Sequence, residues 1–136
     1  GNVTSQLFAN IYLNELDQFV KHQLKMKYYL RYCDDFVMLI ETFAVLPELI
    51  KETSEFLEEK LKLVLHPNKI IVRKYRQGID FLGYVIRPYC INLRIKTKRR
   101  ILRRVNEKNL RSYLGVLKHC EGYGIENRLI KVLEKI

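Results

Sequence analysis

Residues 28–40 read "YYLRYCDDFVMLI". Two runs of aromatic, aliphatic and β-branched residues meet at two adjacent acids, Asp34 and Asp35, with room between them only for a tight turn. The composition of both sides predicts two strands, "MKYYLRY" and "FVMLI", closed into a hairpin with the carboxylates at its tip. Few other local structures satisfy this stretch.

In "TSQLFANIYLNELDQFVKHQL", apolar residues recur at Leu7, Phe8, Ile11, Tyr12, Leu16, Phe19 and Val20, the helical period, and Thr4 or Ser5 can supply the N-cap oxygen. After the hairpin, "LPELIKETSEFLEEKLKL" returns to that period, with Leu46, Leu49, Ile50, Thr53, Phe56, Leu57 and Leu61 on one face. Pro47 and early acids suit a helix start. Then come a short strand "LVL", a turn "HPNK", a strand "IIVRKY" and a turn "RQG". "IDFLGYVIRP" and "CINLRI" read as a second hairpin closed around Pro88 and Tyr89. From Lys96 the composition changes to the basic helical run "KTKRRILRRVNEKN", and two further helical segments, "LRSYLGVLKHC" and "IENRLIKVLEKI", flank the break at Gly122–Gly124. A boundary is expected near residues 93–97, with an α+β unit before it and an all-helical one after it.

Charge points to the partner. Lysine and arginine number 25 against 15 acids, a net charge of +10, and a polyanion is the natural ligand of such a surface. A soluble protein with basic helices is the plain alternative. Cys33, Cys90 and Cys120 are widely spaced and form no CxxC pair, so neither a zinc site nor a disulfide framework is expected. His22, His66 and His119 lack ligand-like spacing and read as surface or turn residues. No stretch is long and apolar enough to span a bilayer and none reads as a secretory signal, so the expected partners include no membrane. The chain opens at Gly1 inside what looks like a motif, so it is expected to be a fragment.

Acids beside "FVMLI" carry a desolvation cost unless something positive offsets it. A hard divalent cation does so efficiently, and Mg²⁺ is typically held by one or two carboxylates together with substrate phosphates. Two such ions about 3.5–4 Å apart clamp the attacking and leaving oxygens of a phosphoryl transfer. An ordinary acidic turn is the competing reading.

Four stretches together resemble the reverse transcriptase family. Tyr32-Cys33-Asp34-Asp35, followed by Phe36, resembles the Tyr-x-Asp-Asp box. "GNVTSQLFANIYL" resembles the preceding box, with a glycine, a serine and a helix carrying an asparagine. "LHPNK" resembles the box that ends in lysine, and "GIDFLGYVI" resembles the hydrophobic hairpin that grips the primer. They occur in the family's order over residues 1–88, and "SYLGVLKH" is similar to part of the helical thumb. The Ser5-Gln6 pair and "FANIYLNELDQFVK" are similar to the enzymes of diversity-generating retroelements, which copy a template-repeat RNA with errors at adenines. Group II intron-like or defence-associated relatives, the former usually with Ser-Pro at this place, are the alternative.

The resemblance implies an α+β fold, the C-terminal half of a right-hand polymerase palm over residues 1–95 followed by the start of an all-helical thumb over 96–136. It implies RNA-templated nucleotidyl transfer from dNTPs to a primer 3′ hydroxyl, on an RNA template with a DNA or RNA primer. Two Mg²⁺ ions, or Mn²⁺ as substitute, are the implied cofactors. Asp34 and Asp35 become catalytic metal ligands, joined by a third carboxylate upstream of Gly1, so this chain by itself is expected to be inactive. Lys69 approaches the triphosphate and donates a proton to pyrophosphate; a solvated turn lysine is the alternative. Gly1, Asn2, Ser5 and Gln6 line the nucleotide and template base, with Ser5 equally suited to a plain N-cap. Asn10 is a further contact or simply a polar surface residue. Tyr32 lies near the primer end or is a core tyrosine, and Cys33 packs. Phe81, Leu82, Gly83 and Tyr84 form the primer grip, with Gly83 read as a close approach or bulge within a strand. Lys96, Lys98, Arg99, Arg100, Arg103 and Arg104 contact nucleic-acid backbone from more than one helix face, while Ile101, Leu102 and Val105 pack inward. A basic accessory protein is an expected partner in a diversity-generating system, and the setting is cytoplasmic, bacterial or phage-encoded. A non-catalytic RNA-binding maturase and a metal-dependent nuclease are the rival functions; the nuclease leaves the primer-grip hairpin unexplained.

Overall fold

The computed structural model describes residues 3–133, with side chains from 4 to 130. The fold mixes helix and sheet, and the chain divides between Ile70 and Ile71 into two compact units. Among the described residues, no helix is long and apolar enough to cross a membrane.

In the first unit, helix α1 (Val3–Gln18) widens into a π turn at Phe19–Gln23. Helix α1 begins at Val3, so Thr4 and Ser5 lie within its first turn and not at an N-cap. The π turn closes with the Leu24 amide donating to the Phe19 carbonyl, and Lys25 then takes a left-handed conformation that ends the helix. Strands β1 (Tyr28–Tyr32) and β2 (Asp35–Leu39) pair antiparallel, with Tyr32 opposite Asp35 and Tyr28 opposite Leu39. Helix α2 (Leu46–Leu61) follows with Pro47 in its first turn, and ends where Lys62 turns left-handed and the Leu63 amide reaches the Leu57 carbonyl.

Leu16, Phe19 and Val20 meet Leu57 and Leu61 in the core of this unit, and the rings of Phe19 and Phe56 stack with centroids 4.1 Å apart. The hairpin covers one side with Tyr29, Phe36 and Met38. The helical and strand periods thus converge on one apolar layer, the packing that a bare hairpin needs.

In the second unit, β3 (Ile79–Phe81), β4 (Tyr84–Arg87) and β5 (Cys90–Leu93) form an antiparallel meander. Helices α3 (Ile95–Arg104), α4 (Leu110–Leu117) and α5 (Tyr123–Leu133) complete it. Leu93 shares one core with Ile101, Val105, Leu117, Ile125 and Leu129. The change of composition near residue 95 therefore falls inside one packed unit, because the last strand and the first basic helix bury side chains together.

Two expected strands do not form. "LVL" and "IIVRKY" run without ladder bonds, apart from the short 3-10 turns at Pro67–Lys69 and Tyr75–Gln77. Their β-branched residues favour extended backbone, and His66, Ile70 and Lys74 adopt it, but a strand also needs a neighbour. "IDFLGYVIRP" is likewise two strands and not one. It folds back at Leu82 and Gly83, with φ of 51° and 85°. Gly83 is thus a turn glycine, not a bulge within a strand. A β-carbon there would stand 3.2 Å from Thr97 Oγ1, so both the positive φ and the close approach of α3 favour glycine.

Candidate active site

The two-residue loop between β1 and β2 consists of Cys33 and Asp34, and Asp35 opens β2. Both acids are exposed. Asp35 stands opposite Tyr32, so the two share the outward face of the hairpin, and Tyr32 is exposed there and not part of the core. Cys33 is half-buried with φ of 53°. For a residue with a β-carbon that conformation costs about 1–2 kcal/mol.

One side chain answers for that turn. Arg31 lies on the inward face beside Tyr29, and its side chain is 9% exposed. Its Nε donates to Asp17 Oδ1 at 2.8 Å and its Nη2 to Asp17 Oδ2 at 2.7 Å, a two-pronged pair with α1. Its Nη1 donates to the Cys33 carbonyl at 2.8 Å and to Asn10 Oδ1 at 3.1 Å. The Tyr29 hydroxyl donates to Asp17 Oδ1 at 2.6 Å. The planar guanidinium suits this work, since it offers several donors in fixed directions.

These contacts set the local electrostatics. The Arg31 hydrogen bond holds the Asp17 carboxyl below its usual range, against the opposing effect of burial. Asp17 in turn raises Arg31. Burial, then the bond to Asp17, pushes the Tyr29 phenol well up.

A depressed folded-state value means that Asp17 favours folding when ionised. Its contribution is complete above the unfolded value of 3.8 and is lost as pH falls through the lower folded value. Unit 1 should lose stability across that acid window. Asp17→Asn should flatten this component, as read from denaturation midpoints between about pH 2 and pH 5.

Mg²⁺ accepts hard oxygen ligands and commonly takes only one or two from protein, completing its shell with phosphates and water. Two adjacent exposed carboxylates at a held turn fit that chemistry. Among the described residues, no group of three His, Cys, Asp or Glu side chains could hold a metal ion, so the pair would need further ligands.

The other expected site residues are distributed as follows. Gly1 and Asn2 lie outside the described residues. Ser5 and Gln6 are exposed in the first turns of α1. Asn10 is bonded to Arg31, which makes it part of the turn's support. Lys69 is exposed on its 3-10 turn and pairs with neither Asp34 nor Asp35.

Phe81 is buried in the second unit, and the half-buried Tyr84 donates its hydroxyl to the Val116 carbonyl at 3.0 Å. Of the expected primer-grip residues, the exposed Leu82 offers the most surface at the turn. On α3, Lys96, Arg99, Arg100, Arg103 and Arg104 are exposed, whereas Lys98 is half-buried. The five exposed cations recur at three- and four-residue spacing and form one stripe, while Lys98 lies on the opposite side with Ile101 and Val105, so the six occupy more than one face. His22, His66 and His119 are exposed.

Sequence reasoning passed over Arg31 and Asp17. A signal for Arg31 existed: alternation from Tyr29 places it on the apolar-facing side, where an arginine needs a partner.

Residues 1–86 match the family model of reverse transcriptase (RNA-dependent DNA polymerase). No curated protein matches the chain significantly.

Proposed function

Because the chain belongs to the reverse transcriptase family, whose model spans residues 1–86, we propose that it supplies the metal-binding turn of an RNA-directed DNA polymerase. In this reading residues 1–95 are the C-terminal part of the palm and residues 96–136 begin the thumb. The observation that carries it is the exposed Asp34–Asp35 pair on a turn anchored from beneath by Arg31.

Asp34 and Asp35 would hold two divalent ions, Mg²⁺ or Mn²⁺, with a third carboxylate from another segment of a longer polypeptide. When bound, such ions activate the primer hydroxyl and neutralise charge on the transferring phosphate. The reaction joins the primer 3′ oxygen to the α-phosphate of a dNTP and releases pyrophosphate. Ser5, Gln6 and Tyr32 border the nucleotide and template. Lys69 serves the leaving pyrophosphate, and the Leu82–Gly83 turn meets the primer. The protein's share is mainly to position and to neutralise. Ser5-Gln6 favours a cytoplasmic diversity-generating retroelement, with a template-repeat RNA and a basic accessory protein as partners.

The test is primer extension by the full-length polypeptide that carries this chain, on a primed RNA template with Mg²⁺ and dNTPs. Extension with errors concentrated at template adenines supports both the activity and the subclass. Binding of the primed template without extension overturns the polymerase reading in favour of an RNA-binding module.

The basic stripe makes a separate prediction. Changing Arg99, Arg100, Arg103 and Arg104 to glutamine should weaken binding to primer–template duplexes of any sequence. It should also lower the slope of log affinity against log salt by about 1 for each phosphate contact removed. Filter binding between about 50 and 200 mM salt reads both.

A further inference from the structure

Resting on the reading of Asp34 and Asp35 as metal ligands, we propose that Arg31 is the positioning residue of the metal-binding turn. It locks the Cys33–Asp34 loop to α1 through Asp17 and Asn10.

The geometry has three parts. Asp17 fixes the plane of the guanidinium by taking two of its nitrogens, Nε and Nη2. That leaves Nη1 to reach the Cys33 carbonyl at 2.8 Å, inside the loop and one residue before the first acid. Asn10 takes a second bond from the same nitrogen at 3.1 Å. The loop is thus held at the residue whose backbone is least comfortable, Cys33 with φ of 53°.

A turn left to itself would relax this conformation and let Asp34 sample other directions. With Arg31 in place, the carboxylates keep one spacing before metal arrives, which lowers the ordering cost of binding. The same helix carries Ser5 and Gln6 near its start, so the anchor also ties the metal turn to the segment assigned to the nucleotide.

Three variants separate positioning from stability. Arg31→Gln removes the whole anchor. Arg31→Lys retains a cation beside Asp17, but an ammonium cannot span Asp17 and the Cys33 carbonyl together. Tyr29→Phe deletes only the phenol's bond to Asp17 and leaves every Arg31 contact in place.

Mn²⁺ is titrated into the full-length polypeptide carrying each variant while paramagnetic broadening of the Asp34 and Asp35 amide signals is followed by NMR. Outer groups that orient metal ligands typically govern affinity by about 10–100-fold. The half-saturating Mn²⁺ concentration should therefore rise by about 10-fold in Arg31→Lys and Arg31→Gln, and stay within about 2-fold of wild type in Tyr29→Phe. If Arg31→Gln does not fold, Arg31→Lys decides. Equal Mn²⁺ response in Arg31→Lys and wild type overturns the proposal, as does the absence of selective broadening at the turn in wild type.

The half-saturating Mg²⁺ concentration for extension by the full-length polypeptide should move in the same order. A wild-type polypeptide that extends no primer, with Mn²⁺ broadening still in the expected order, removes the polymerase reading and supports the role of Arg31. Extension with a Mg²⁺ requirement indifferent to Arg31 does the reverse.

Discussion

Replacing Asp34 and Asp35 together by asparagine should reduce primer extension by the full-length polypeptide at least about 1,000-fold, a loss of about 4 kcal/mol in transition-state stabilisation. The size follows from the chemistry proposed for the pair. Metal ions at a transferring phosphate contribute several kcal/mol of charge stabilisation, and asparagine keeps the shape of aspartate while removing the anion that holds a hard cation. Both side chains are exposed at the hairpin tip. The exchange should therefore leave stability within about 0.5 kcal/mol of wild type. Lost extension with an unchanged denaturation midpoint identifies a chemical role. Extension by the double variant within tenfold of wild type would falsify the assignment of both acids. Single variants then rank the two residues, which the hairpin alone does not.

How far the sequence announced this arrangement depends on the range of the interactions. The hairpin was legible because its cause is local: two runs of strand-forming residues and too few residues between them for anything but a turn. The helical periods of α1 and α2 were legible for the same reason, and the family's boxes marked the acids. "LVL" and "IIVRKY" misled because β-branched residues report a preference for extended backbone, whereas a strand is made by a partner. The α3 cations divide as the helical repeat requires: Lys98, half-buried, falls on the side of Ile101 and Val105, and the other five are exposed. Positions 96, 99, 100, 103 and 104 follow the helical repeat closely enough to share one side.

The support of the turn was least legible. Arg31 and Asp17 lie 14 positions apart, and nothing in the local pattern says which acid an inward-facing arginine will meet. Asp80 and Arg94 make another ion pair of the same sequence separation in the second unit. Such pairings belong to the packed structure, and at the turn they decide how a readable motif is held.

The largest stability effect should come from Leu16→Ala, in the apolar core of the first unit. Leu16 is 1% exposed and packs with Phe19, Val20, Leu57 and Leu61. Truncation removes transfer energy and leaves a cavity between two helices, which typically costs about 2–5 kcal/mol. For a unit of this size that is a drop in melting temperature on the order of 10 °C or more. Leu7→Ala, on the same helix but at a residue 58% exposed, should cost less than about 0.5 kcal/mol. Equal losses at the two positions would contradict the placement of α1.

The functional consequence is specific. Leu16 lies one residue before Asp17, and α1 carries both partners of the Arg31 anchor. Primer extension by the full-length polypeptide carrying Leu16→Ala should fall with the folded fraction as temperature rises. The folded molecules should keep the wild-type Mg²⁺ requirement, because the guanidinium, its two partners and the Cys33 carbonyl are all intact in them. An altered Mg²⁺ requirement well below the melting transition would instead show that the core governs the turn directly, without passing through Arg31.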